Sequence, residues 1–229
     1  AATERPLLAN AGLSSRGFTL VGRGFVLDEE EAAALREEGA TRPLVRPYLH
    51  GRDLTARPRG VYVIDFGLLD EEEARQSPVL FDLVRSRVKP QRDANKRKSY
   101  RDYWWRFGEP RVTLRDALNG LPRFVATPYV AKHRFFVFLG EDVAPDEKIV
   151  AVASEDPFVL GVLSARIHVE WSLAAGSRLG VGNDPTYNNS ACFDSVPFPD
   201  PTVEQATAIQ GLAERIEECC RSVPTTAPP

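Results

Sequence analysis

The segment "RFVATPYVAKHRFFVFLGEDVAPDEKIVAVASEDPFVLGVLSARIHVEWSLAAG" (123–176) decides the fold class. Its first part is rich in β-branched and aromatic residues. "RFVATPYVA" (123–131) and "RFFVFL" (134–139) read as a strand pair joined around Lys132-His133, and "KIVAVAS" (148–154) reads as another strand. The second part changes character. "DPFVLGVLSARIHVEWSLAAG" (156–176) is apolar on most sides and stops at Gly176, which predicts one long, largely buried helix. Strands and helices alternate without a regular β-α-β rhythm, so the class is α+β with mixed or antiparallel strands.

Outward from this segment, "VEQATAIQGLAERIEECCRSV" (203–223) places Val203, Ala206, Ile209, Leu212 and Ile216 at helical spacing. It predicts a C-terminal amphipathic helix, followed by a Pro/Thr tail expected to be disordered. On the other side, "GFTLVGRGFVLD" (17–28) reads as a short strand or hairpin, and "VYVIDF" (61–66) as a strand. "DEEEAAALREEG" (28–39) predicts a helix capped by Asp28 and stopped at Gly39. "DEEEARQSPVLFDLVRSRV" (70–88) predicts a helix divided at Pro78. The expected division is a linker over 1–16, a main domain over 17–200, a helix over 201–222 and a tail over 223–229.

The chain has 229 residues, 43% of them apolar, and a net charge of −3. The composition suits a packed core and argues against a uniformly basic nucleic-acid binder, although an average hides patches. Cys192, Cys219 and Cys220 form no disulfide framework, which fits a reduced, cytoplasmic protein. No apolar run is long enough for a membrane span, so no membrane partner is expected. The opening "AATERPLLANAG" reads as the start of a piece cut from a longer chain.

The strongest charge feature is "RSRVKPQRDANKRKSYRDYWWRFGEPR" (85–111). Ten Lys/Arg against three acids give it a charge of +7, leaving −10 elsewhere. Arg92, Lys96, Arg97, Lys98, Arg101 and Arg106 are its candidate phosphate contacts, since such cations neutralise phosphates and release counterions. The competing reading is a solvated basic helix, and Trp104 and Trp105 are assigned to the core in either case. Arg46 and Arg52 in "VRPYLHGRDL" (45–54) are further phosphate candidates, against the plainer reading of an Arg-Asp pair pinning a loop. Lys132, His133 and Arg134 at the strand turn offer three adjacent donors for phosphate or base edges. His168 is most simply a core histidine.

Catalytic motifs are missing. There is no P-loop, no GxGxxG after a strand and no GxSxG. Cys192 has no evident base, and no Cys/His set spells a metal site. Asp65 with Glu71 to Glu73 lacks the acid-x-Lys of a metal-dependent nuclease. "NDPTY" (183–187) and "SVPF" (195–198) miss the [DNS]-P-P-[YFW] motif of amino-methyltransferases, and neither follows a glycine-rich cofactor strand. No catalytic residue and no cofactor are therefore assigned.

Five ordered motifs carry a family resemblance: "ANAGLSSRGFTLVGRGFVL", "VRPYLHGRDLTARPRGVYVIDFG", "YRDYWWRFGEPR", "PYVAKHRFFVFL" and "YNNSACFDSVPFPDP". Together, over about residues 10–200, they resemble the target recognition domain of MmeI-like restriction-modification enzymes and PglX-type phage-defence methyltransferases. The resemblance implies a DNA reader without catalytic parts. Its parent would be a bifunctional restriction enzyme and adenine-N6 DNA methyltransferase using S-adenosylmethionine, with Mg where a PD-(D/E)xK nuclease is present. Double-stranded DNA and an intramolecular methyltransferase domain are the implied partners, and the methyltransferase flips out the adenine.

The resemblance also implies reading positions two residues apart before an aromatic-proline strip. Aligning Tyr187 and Pro197-Phe198-Pro199 puts these at Gly182, Asp184 and Thr186. The loop is about two residues longer than the family pattern and has glycine at one position, so Asn183, Asn188 and Asn189 join the base-reading set. Asp accepts from cytosine N4, Asn pairs with adenine N6/N7, and Thr touches the thymine methyl. The plainer reading is a tight Gly-Asn-Asp-Pro turn with Asn188 capping the next element. Three alternatives stand beside the DNA-reading domain of a restriction enzyme: the reader of a nuclease-free methyltransferase, an interaction scaffold in a phage-defence complex, and an independent hydrolase, which the missing nucleophile-base pair disfavours.

Overall fold

The computed structural model describes residues 6–37, 43–179, 181 and 184–222, with side chains to 219. In chain order the N-terminal half holds β1 (Ser14–Arg16), β2 (Val26–Leu27), α1 (Glu29–Glu37), β3 (Val45–Leu49), β4 (Tyr62–Ile64), α2 (Glu71–Arg75), α3 (Pro78–Asp93), α4 (Lys98–Asp102) and α5 (Val112–Leu118). Then come β5 (Arg123–Pro128), β6 (Val137–Gly140), β7 (Ala144–Pro145), β8 (Ile149–Val152), α6 (Pro157–Ser164), α7 (Arg166–Ala175), β9 (Arg178–Leu179), β10 (Asp184–Pro185) and α8 (Val203–Ser222). The α+β class holds.

The central sheet has the order β1-β8-β5-β6 and is antiparallel throughout. Its side chains alternate between two cores, as a period-2 strand requires. Phe124, Ala126, Ile149 and Ala151 face the larger core, built with the second sheet, α3 and Trp104, Trp105 and Phe107. Val125, Val150 and Val152 face a smaller core with Phe136, Leu160, Leu163, Tyr187 and Phe193. All four residues of β8 are buried, which explains why its sequence is a continuous apolar run. The second sheet has the order β2-β4-β3-β7, with β3 and β7 parallel. The short step from β7 to β8 therefore joins the sheets.

Three features of the sequence reading change. Of the two readings of residues 17–28 the short strand holds and the hairpin does not, because β2 pairs with β4 in the second sheet. The predicted long helix is two helices, α6 and α7, bent by 63°. The break follows Ser164, and Ile167 on α7 is 81% exposed, so only part of the run is core. Part of the 1–16 linker is packed: Leu7 N donates to Asp194 O at 2.7 Å, and Asn10 Nδ2 to Val196 O at 2.8 Å.

Local signals are obeyed where they are strong. Asp28 and Glu31 form a reciprocal cap on α1, as do Asp70 and Glu73 on α2. Pro78 opens α3 at its first turn, ending the preceding piece as expected. The C-terminal helix α8 is present, but its packed face is Ala206, Ile209, Ala213 and Glu217. Val203, Leu212 and Ile216 lie on the exposed side. Gly161 on α6 selects this face, since a Cβ there would sit 2.5 Å from Ile209 Cγ2. Gly39 and the 223–229 tail lie outside the described residues.

Candidate nucleic-acid interface

The loop aligned as a reader is a β-hairpin. β9 and β10 pair antiparallel, with Leu179 opposite Asp184 and Arg178 opposite Pro185. Gly182 and Asn183 lie outside the described residues. Asp184 is half-buried at the start of β10. Its backbone is restricted by the following proline, which disfavours the helical region for the preceding residue.

Below Asp184 the hairpin is rooted in the smaller core. Thr186 is 2% exposed; its Oγ1 donates to Ser177 O at 2.9 Å and lies 2.8 Å from Ser177 Oγ. Thr186 is therefore corrected from a base-reading to a hairpin-closing residue. Tyr187 is fully buried, and its Oη lies 3.0 Å from His168 Nε2. Phe136 packs edge-on to Tyr187, with ring centroids 5.4 Å apart. Burial lowers the His168 pKa to about 4, assisted by the charge of Arg134, so the ring is neutral at neutral pH. Asn188 caps the π-turn Asn189–Phe193, with Oδ1 accepting from Ser190 N at 3.1 Å and Ser190 Oγ at 2.7 Å. Asn189 Nδ2 reaches Ser14 O at 3.3 Å. Both asparagines thus have structural work, leaving Asp184 as the described reading candidate with no such bond.

The turn between β5 and β6 lies directly against the hairpin. Tyr187 N donates to Tyr129 O at 2.8 Å, and Ala131 N to Pro185 O at 3.3 Å. Lys132 and His133 are exposed on this turn. Their neighbour behaves differently. Arg134 is 9% exposed and donates to Thr127 Oγ1 at 2.9 Å, to Pro128 O and to Pro185 O at 3.3 Å. Burial pushes its guanidinium down to about 10, which leaves it charged at neutral pH. An arginine committed to these acceptors cannot face a phosphate, so Arg134 is corrected to an internal clamp.

A second turn comes to the same sheet end. A Cβ at Gly51 would lie 2.8 Å from Lys148 O and 3.5 Å from Pro128 Cβ, so the backbones nearly touch. Arg52 and Arg57 are exposed there. The buried Asp53 is held by Arg59, Nη2 to Oδ2 at 2.7 Å, which is the loop-pinning pair expected for this segment with a different arginine. Lys148 and Arg16 complete the edge: Lys148 is bridged to Glu147 at 3.0 Å, and Arg16 stacks 4.3 Å over the Tyr129 ring. Sequence reading missed Arg16, Arg57 and Lys148, since only folding brings their segments together. Arg46, in contrast, is spent on Asp65 at 3.0 Å and on the carbonyls of Glu141 and Val143 at 2.8 Å each. It closes a buried ion-pair network with Arg115 and leaves the phosphate set.

The basic segment joins this edge through a chain of contacts. Thr19 Oγ1 donates to Glu147 at 2.9 Å, Glu109 N to Thr19 O at 3.0 Å, and Arg97 stands 3.6 Å from Glu109. Its cations divide by burial. Lys96, Arg97 and Lys98 are exposed, Lys98 in an i,i+4 bridge to Asp102. Arg101 bonds Asn95 O at 2.6 Å, and Arg106 bonds Leu69 O at 2.9 Å while stacking on Tyr103. Arg92 is 1% exposed, donating to Leu20 O at 2.8 Å beside the Tyr100 ring. It is thus corrected from phosphate contact to core. Trp104 and Trp105 are buried, as assigned.

Among the described residues no three His, Cys, Asp or Glu side chains are grouped to hold a metal. No single helix among them is long and apolar enough to cross a membrane. The family model of the MmeI target recognition domain matches residues 10–200. Among curated proteins none matches. Among solved structures the chain is similar to the type IIL restriction-modification enzyme MmeI in complex with DNA, with a TM-score of 0.74 and 16% identity. That match covers 93% of this chain and 28% of that one, and at this identity it establishes the shared fold.

Proposed function

The chain belongs to the MmeI target recognition domain family, and we propose that it reads base sequence in double-stranded DNA on behalf of a larger restriction-modification protein. The observation that carries this is the 178–185 hairpin with Asp184 near its tip, rooted on a buried cluster and flanked by exposed Lys132 and His133. A rigid root beneath the Asp184 carboxylate suits base contact, and exposed cations beside it suit phosphate contact. Asp184 accepts from cytosine N4 in this reading. Lys96, Arg97, Lys98, Arg52 and Lys132 neutralise the backbone on either side, and His133 offers it a hydrogen bond, with half-buried Arg101 and Arg106 in support.

Chemistry belongs to the rest of that protein. The resemblance supports a parent with an adenine-N6 methyltransferase domain using S-adenosylmethionine, and Mg where a nuclease is attached. The similar enzyme is a restriction-modification protein of which this chain spans 28% of the length. No residue of this chain is assigned to bind either cofactor. The methyltransferase domain is then the intramolecular partner, and a nuclease-free parent would use this reader in the same way.

The test is selection from a randomised duplex library by the protein that carries this chain. Wild type enriches a defined sequence. Asp184→Ala shifts that sequence while affinity for unrelated DNA stays close to wild type. An unchanged enriched sequence refutes base reading by Asp184. Absence of any DNA binding at low salt refutes the reader itself and favours a scaffold for an acidic protein.

A further inference from the structure

Resting on the DNA-reading proposal, we infer that Arg134 is a specificity-positioning residue: it locks the reading hairpin to the sheet and thereby fixes where Asp184 meets a base. The geometry is that of a clamp. One guanidinium bonds Thr127 Oγ1 and Pro128 O at the end of β5 and Pro185 O in β10. Thr127 Oγ1 in turn donates to Phe135 O at 2.7 Å, so the first acceptor is itself fixed. Pro185 O receives a second donor, Ala131 N, at 3.3 Å. The carbonyl one residue beyond Asp184 is thus held from two directions by the neighbouring turn.

The rest of the root removes the remaining freedom. The Arg134 guanidinium lies 5.2 Å over the Tyr187 ring, and Tyr187 Oη meets His168 Nε2 on α7. The ring of Pro185 fixes its own φ and restricts Asp184. A base contact discriminates only when its acceptor is held to within a fraction of an ångström, so such support acts on specificity. Arg134 itself reaches no phosphate, which separates it from Lys132 and His133 two and one residues before it. Its loss should alter which sequence is read and leave the electrostatic part of binding in place.

The experiment uses the full protein that carries this chain, in wild-type, Arg134→Met, Lys132→Ala and Asp184→Ala forms. The probes are the enriched duplex from the library selection and a scrambled duplex of equal length, titrated across salt. For Arg134→Met the preference for the enriched duplex falls by at least about tenfold, the scale of one lost base contact. Scrambled-duplex affinity and its salt slope stay at wild-type values. Lys132→Ala shows the opposite pattern: a slope lower by about one and an unchanged preference. A wild-type preference in Arg134→Met, with Asp184→Ala altered, overturns the clamp alone. A lowered salt slope in Arg134→Met also overturns it, because Arg134 would then be a phosphate contact. Wild-type selection by Asp184→Ala overturns base reading by Asp184, and the clamp falls with it. Should Arg134→Met fail to fold, Arg134→Lys carries the same test: its single ammonium keeps the charge but cannot span all three acceptors. It is expected to show the same loss of preference at an unchanged slope.

Discussion

Acidification should weaken this fold through one buried ring. His168 is 2% exposed, its Nδ1 has no hydrogen-bond partner, and its other face meets Phe136 at 5.5 Å. Burial first, and then the charge of Arg134, lower its pKa from 6.5 to about 4. In the unfolded chain the ring takes up its proton near the ordinary value. As pH falls below 6.5 the unfolded state therefore binds more protons than the folded one. The stabilisation is fully present above the unfolded value and drains as pH falls towards the folded one. With about 1.4 kcal/mol per pH unit, the complete effect is on the order of 3 kcal/mol, and ~2 kcal/mol of it is lost by about pH 5. Urea unfolding at about pH 7.5 and about pH 5 measures this. His168→Gln keeps a polar partner for Tyr187 but cannot charge. Groups such as Asp53 and Glu147, whose pKa values are held low, and Asp194, raised by burial, titrate alike in both proteins. Wild type should lose ~2 kcal/mol more than His168→Gln over that interval. Parallel losses would show that the ring is hydrated in the folded state and would refute the reasoning.

Three other outcomes follow from the packing. Gly161→Leu drives side-chain atoms into Ile209, where even a Cβ lies at 2.5 Å, and should cost ~1–3 kcal/mol in denaturant unfolding by prising α8 from α6. Asp65→Ala leaves Arg46 and Arg115 without their shared carboxylate, now 3.0 and 2.7 Å away, and should cost ~3–5 kcal/mol; a loss below ~1 kcal/mol would show that water replaces the pair. Lys96→Ala and Arg97→Ala should each lower the salt slope of DNA binding by about one, whereas Arg92→Met should leave that slope unchanged and lower the melting temperature.

Local sequence was informative where a local cause dominates. Asp28 with Glu31 and Asp70 with Glu73 mark helix starts because a cap needs only residues three apart. The buried strand β8 was legible as a short apolar run, and the tryptophans as core. The sequence does not mark β3, since "VRPYL" contains an arginine and a proline. Arg46 fits there because its charge is neutralised from Asp65, far along the chain. The break between α6 and α7 was equally hidden: the composition is apolar on both sides of it, and only the packing partners change.

The basic segment shows the limit most clearly. Counting charges found the concentration of Lys and Arg, yet Arg92 and Arg97 are the same residue type five positions apart. One is stacked inside the core and the other is exposed, because Arg92 lies on the buried face of α3 against Tyr100, whereas Arg97 stands in the exposed link that precedes α4. The hairpin repeats the lesson. Thr186 and Asp184 share an alternating loop, and burial alone separates the anchor from the reading candidate.

What the sequence determined by itself is the α+β class, the capped helices, the absence of recognisable catalytic motifs and, through five ordered motifs, the family. These depend on neighbouring residues or on patterns carried along the chain. The tertiary structure decided which cations face solvent, which loop residues are anchors, and that Arg134 serves the hairpin from beneath. The physical reason is that burial and hydrogen-bond partnership are properties of distant segments brought together. A side chain's charge is written locally, but the surface on which it acts is chosen by packing.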